Sequence, residues 1–148
     1  MAMERIQWIV VGVDFSDGSI RALEFALEHA SAVSANVACV HAYEDAPETP
    51  AFHDPSQAMR EQLVEVIALC KPAESNVHVD PIVRRGPPWE KLANVATELG
   101  AELIVVGADG QRGASSEGFL GTVAYRLAAT SPRSVVVVPS KRHLDDVS

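Results

Sequence analysis

Short runs of apolar, β-branched residues alternate with stretches of helical period along this chain, and that alternation constrains the fold more than any single motif. Trp8-Ile9-Val10-Val11-Gly12-Val13 is a continuous apolar run, the pattern of a central strand covered on both faces. Asp14 to Ser19 then supplies capping residues, and Ile20, Leu23, Leu27 and Ala30 follow at helical spacing, which predicts a first helix ending near Ala32. Asn36 to Ala42 reads as a second buried strand. Met59, Leu63, Val66 and Cys70 mark the stripe of a second helix stopped by Pro72. Val77 to Val83 alternates and contains Pro81, which fits an edge strand. Arg84 to Pro88 reads as a turn into a third helix with Leu92, Val95, Ala96 and Leu99 inward. Leu103 to Val106 is a fourth strand, Val123, Leu127 and Ala128 mark a fourth helix, and Ser134 to Val138 is a fifth strand.

Strand, helix, strand, repeated with crossovers long enough to hold a helix, means a parallel sheet with helices on both faces. Right-handed crossovers then restrict the topology to an α/β, doubly wound, Rossmann-like sheet of five strands in the order 3-2-1-4-5. In such a sheet ligands sit beyond the carboxyl ends of the strands where the winding reverses, so the loops after strands one and four are the first places to look. The chain length of 148 residues fits one domain, residues 1–148. Glu44 to Pro55, acidic and carrying Pro47, Pro50 and Pro55, reads as a flexible loop, and Lys141 to Ser148 as a solvated tail.

Composition removes several classes of function. Lys+Arg 12 against Asp+Glu 20 leaves a net charge of -8, and no basic run offsets it, so neither nucleic acid nor an anionic membrane surface is an expected partner. No apolar run approaches the roughly 20 residues that span a bilayer, and no signal peptide is evident at the N-terminus. Cys39 and Cys70 lie in apolar stretches without metal-ligand spacing, which suits a reducing cytoplasm. His41 stands two residues from Cys39, on the same strand face, and reads as packing rather than as a metal ligand.

The segment that carries chemistry begins directly after the fourth strand. Gly107, Gly110 and Gly113 recur every third residue, and such a loop lets the backbone approach a ligand and present N–H groups to an anion. Gly121-Thr122 then opens a helix whose unpaired N–H groups favour a phosphate. A loop whose glycines merely make turns would look the same in composition. No GK[ST] follows, so this is not a P-loop, and Gly107-x-x-Gly110 is not the dinucleotide fingerprint. Gly113-Ala114-Ser115-Ser116-Glu117-Gly118 is not a nucleophile elbow either.

Leu103 through Gly107, Gly110 and Gly121-Thr122 to Ser134-Val135-Val136-Val137-Val138-Pro139 resembles the universal stress protein family. So do Ile9-Val10-Val11-Gly12-Val13-Asp14-Phe15-Ser16, Val40-His41 and Arg85-Gly86-Pro87, and together these cover the chain from Arg5 to Pro139. The resemblance implies the fold derived above, frequent dimerisation, and division into members that bind ATP and members that do not. It implies that Asp14 and Ala42 lie near the adenine and ribose, that Val106 and Gly107 line the adenosine side, and that Gly110, Gly121, Thr122 and Val123 hold the phosphates. ATP, with or without Mg²⁺, is the cofactor so implied. The chain departs from the binders' pattern at three points. Ten residues, Gln111 to Leu120, separate Gly110 from Gly121 where the pattern has nine. Gly12 stands where some binders have proline, and Ala124 where some have a hydroxyl residue.

Asp14 has a second reading as a capping or turn residue before the first helix. Without a lysine for the β/γ-phosphates or an evident general base, the reading is a binder and not an enzyme. The Val135-Val138 run at a sheet edge would promote aggregation unless covered, which predicts a homodimer through that strand. Two functions follow as expectations: a cytoplasmic stress-response protein switched by adenine nucleotide, with an unidentified downstream partner, or a dimeric interaction protein of the same fold that takes no nucleotide.

Overall fold

The computed structural model describes residues 7–45, 54–108 and 121–140. Among these residues nine elements succeed one another: β1 (Trp8–Gly12), α1 (Asp17–Val33), β2 (Asn36–Tyr43), α2 (Ser56–Cys70), β3 (Val79–Arg85), α3 (Pro88–Leu99), β4 (Leu103–Gly107), α4 (Thr122–Thr130) and β5 (Ser134–Val138). The strands form one sheet in the order β3-β2-β1-β4-β5, with every pair parallel. The expected doubly wound topology is therefore present.

The period-two alternation of each strand splits its side chains between two cores. Ile9, Val11, Val37, Cys39 and Val105 face α1 and α2, where Leu23, Leu27, Leu63 and Ile67 complete the packing. Val10, Ala38, Val40, Ile104 and Val106 face α3 and α4, against Leu92, Val95 and Leu127. A strand buried on both faces carries few polar positions, and those only with a hydrogen-bond partner, which is why β1 reads as an unbroken apolar run. Removing a fully buried side chain such as Leu23 or Leu127 costs on the order of 2–5 kcal/mol.

The element ends follow local chemistry. Ser16 caps α1, its side chain accepting from the Ser19 N–H, and Ser34 closes the helix in the left-handed region, one residue past Val33. Lys71, placed before Pro72, is extended and stops α2. Pro81 is accommodated because β3 pairs only with β2. One expectation is corrected: Arg84 and Arg85 do not belong to the turn. They are the last residues of β3, opposite Ala42 and Tyr43, because β2 runs on to Tyr43 and offers them partners. The turn is confined to Gly86 (φ 136°) and Pro87, and β3 begins at Val79 rather than Val77. Trp89 packs on the α3/α4 core beneath the Arg126 guanidinium, 5.2 Å from its ring centre.

Among the described residues β5 lies at the sheet edge, paired with β4 alone. Val136 and Val138 reach one core and Val135 and Val137 the other, all half-buried. Most of the Glu44–Pro55 segment and all of the Lys141–Ser148 tail lie outside the described residues.

Candidate functional site

The winding reverses between β1 and β4, so the crevice of interest lies beyond Gly12 and Gly107. Gly12 pairs with Val40, and therefore Asp14 and Ala42 each stand two residues past the same rung. Val11 pairs with Val105, which sets Val106 and Gly107 level with Gly12 and Val13. Four of the expected site residues (Asp14, Ala42, Val106 and Gly107) are thus brought to one edge of the sheet by strand register alone.

After β1 the chain makes a tight, internally bonded turn. The Val13 N–H still donates to Val40 O at 2.8 Å, as the last rung. Asp14 then donates its N–H to Ser19 Oγ (3.2 Å), while its Oδ1 accepts from the Ser16 N–H (3.0 Å) and the Ser16 hydroxyl. Ser16 Oγ in turn accepts from the Ser19 N–H, and Ser19 Oγ donates to Ser16 O. Asp14 is therefore not itself the cap of α1. It holds the residue that is, so its two sequence readings meet in one side chain.

Phe15 pays for the sharpness of this turn with a φ of 66°. A bulky side chain in the left-handed region costs on the order of 1–2 kcal/mol. Its ring lies over the His41 imidazole at 4.6 Å, tilted by 44°. His41 is buried, with its Nδ1 2.7 Å from the Val13 carbonyl oxygen. The expectation that His41 packs is met, with the addition that it bonds the site turn directly. Cys39 lies deep in the α1/α2 core, where burial pushes its thiol up, away from the reactive thiolate; burial, and secondarily Glu24, do the same to Cys70.

At the end of β4 the structure redirects one sequence argument. A Cβ on Gly107 would fall 2.8 Å from both the carbonyl carbon and oxygen of Gly18. Its lack of a side chain is used first for backbone contact between β4 and the first turn of α1. Val106 is buried in the α3/α4 core.

Beyond β4, the Ala108 N–H donates to Val138 O (2.8 Å) and the Gly121 N–H to Ala108 O (2.6 Å). The two ends of the glycine segment are thus one hydrogen bond apart and tied to β5. Gly110, with the rest of residues 109–120, lies outside the described residues. Gly121 is the N-cap of α4 and offers no side-chain oxygen, and the first turn, Thr122-Val123-Ala124, carries no acid. Its N–H groups have no acceptor within the helix. Thr122 is exposed, Val123 packs its side chain on the core, and Ala124 is buried, so any contact from Val123 would be made by its backbone.

Among the described residues, concavities lie elsewhere. One runs along the outer face of α4 and includes Thr122, Tyr125 and Arg126; the other lies at the opposite edge of the sheet, among Glu28, Asn36, Cys70 and Val77. Neither is walled by Asp14, Ala42 or Val106. Sequence reasoning missed the roles of Phe15, Gly18 and Ser19. An aromatic residue between Asp14 and Ser16, at a turn that needs a left-handed residue, was the available signal for the first.

Known proteins resemble this chain in sequence and in fold. A universal stress protein of Thermus aquaticus is 31% identical over 88% of this chain and 96% of its own. A crystal structure of a universal stress protein in complex with cAMP superposes with a TM-score of 0.68, at 27% identity, over 93% of this chain and all of that one. The universal stress protein UspA from Lactobacillus plantarum, at 24% identity, shares the fold with a TM-score of 0.66 over 92% of this chain and 99% of its own. The family model for universal stress proteins matches residues 6–139, and the chain belongs to the universal stress protein family.

Proposed function

We propose that this protein binds an adenine nucleotide, ATP with or without Mg²⁺, at the carboxyl edge of β1 and β4, and acts in the cytoplasm as a nucleotide-dependent switch in stress response. The observation that carries this reading is the start of α4. It is an acid-free helix N-terminus with no side-chain cap among the described residues, anchored by Gly121 to the end of β4, at the reversal point of the sheet. The related structure in complex with cAMP supports an adenine nucleotide as the ligand class.

In this reading Asp14 and Ala42 take the adenine and ribose, and Val106 and Gly107 the adenosine side. The backbone N–H groups of Gly110, Thr122 and Val123, with Gly121 at the turn, hold the phosphates. The Asp14 carboxylate already accepts two bonds from Ser16, so it meets the ligand pre-oriented. Occupancy reshapes the Asp14–Gly18 and Gly107–Gly121 segments and so a partner surface, by population shift and without turnover. The open edge of β5 pairs with a second copy through Val135 to Val138.

One observation favours a second reading, a dimeric interaction protein without nucleotide: the ten residues between Gly110 and Gly121, against nine in the pattern of binders. Calorimetric titration of ATP with Mg²⁺ separates the two. Micromolar binding, weakened by Gly110→Val in folded protein, establishes the first, and no heat with no co-purified nucleotide establishes the second. Light scattering tests the dimer; a monomer at micromolar concentration removes that part.

A further inference from the structure

We propose that His41 is a positioning residue for the Asp14 turn, its side chain fixing the turn at the crevice through the Val13 carbonyl and the Phe15 ring. The functional consequence rests on the nucleotide reading above; the structural part does not. A carbonyl oxygen only accepts, so the 2.7 Å contact requires that Nδ1 of His41 carry a hydrogen and donate it to Val13 O. Val13 is then held by β2 through both of its backbone polar groups. Its N–H goes to the Val40 carbonyl and its C=O to the next residue's side chain. Beyond Val13 the ladder ends, and the Asp14 N–H turns away to Ser19. His41 therefore stands at the point where the strand becomes the turn.

Two further features fit that role. His41 is 8% exposed on a strand face otherwise occupied by Val37 and Cys39, where an imidazole is retained at a cost unless its hydrogen bond is needed. Phe15, forced into a left-handed backbone, places its ring on the imidazole at 4.6 Å, so that contact helps hold a turn that local preference alone would relax. The route from His41 to the ligand is short: Val13, then Asp14, whose carboxylate is locked to Ser16.

The test uses His41→Ala, His41→Asn and His41→Gln. The Asn amide nitrogen occupies the place of Nδ1 and keeps the donor, whereas the Gln amide reaches one carbon further and loses it. Amide exchange at Asp14 and Ser16 is read by NMR, with Val10 and Ile104 as core controls, and ATP with Mg²⁺ is titrated calorimetrically. In His41→Ala and His41→Gln, exchange at Asp14 and Ser16 is expected to rise about tenfold and ATP affinity to fall about tenfold, with the core amides unchanged and both effects reversed in His41→Asn. Unchanged exchange in folded His41→Ala overturns the proposal, as does an Asn variant no better than Ala. Faster exchange with unaltered affinity overturns the functional part. If the wild-type protein takes up no ATP, the nucleotide reading fails and exchange alone decides the latch. If His41→Ala does not fold, the Asn and Gln variants carry the same comparison.

Discussion

The N-termini of α1 and α4 both open at the carboxyl edge of the sheet, one after β1 and the other after β4, and they are finished in opposite ways. At α1 two backbone donors are met from within, the Ser16 N–H by Asp14 and the Ser19 N–H by the capping Ser16, and Asp17 adds a negative charge in the first turn. Gly107 packs against Gly18 behind it. At α4 the cap is Gly121, with no side-chain bond and no first-turn acid. One end meets part of its donors and its dipole internally; the other, among the described residues, has neither a side-chain cap nor a first-turn acid. Helix ends of equal backbone chemistry are thus finished differently, decided by which short polar residue stands before the first turn, and in the proposed reading the α4 end is the one that serves a ligand.

That contrast can be broken from either side. Gly107→Val pushes a branched side chain onto the Gly18 backbone, which cannot swing aside, and is expected to cost about 3 kcal/mol in urea unfolding. An unchanged midpoint would mean that the two ends are not packed as described. Ser16→Ala removes the cap of α1 and one partner of Asp14, with an expected loss of about 1 kcal/mol. The same protein should also bind ATP more weakly, because the carboxylate loses its restraint.

Gly121→Asp sharpens the comparison by giving α4 the kind of end that α1 has. Stability should rise by about 0.5 kcal/mol, through the new cap and its charge, while calorimetric affinity for ATP falls. Opposite signs in one variant are the outcome that a purely structural α4 terminus would not give. Asp17→Asn should be the mildest, about 0.3 kcal/mol from the α1 dipole in a thermal melt at low salt, vanishing as salt is raised.

Much of this was legible in the sequence because burial on two faces leaves a strong mark. Val10 and Val11 point into different cores, yet both must be apolar, so β1 is visible without any structure. Pro81 marked β3 as an edge, since a central strand would lose a ladder bond there. The capping run Asp14 to Ser19 marked the start of α1, within which the structure selects Ser16, and Gly121-Thr122 marked the start of α4. Arg84 and Arg85 misled because charged residues before Gly86-Pro87 look like a turn. Their strand character comes from Ala42 and Tyr43 across the ladder, a partner that local sequence does not show.

The sequence by itself determined the order of elements and the parallel doubly wound sheet, and it pointed to the edge at which a ligand is proposed to sit, because period, caps and prolines act within a few residues of one another. Only the tertiary structure decided how the edge is built. Gly107 meets Gly18, and His41 meets Val13 and Phe15, across separations in the chain that no local pattern encodes. Each depends on strand register, which brings Asp14 level with Ala42 and Val106 level with Gly12. Register is a property of paired backbones, fixed when the two cores close on both faces of the sheet.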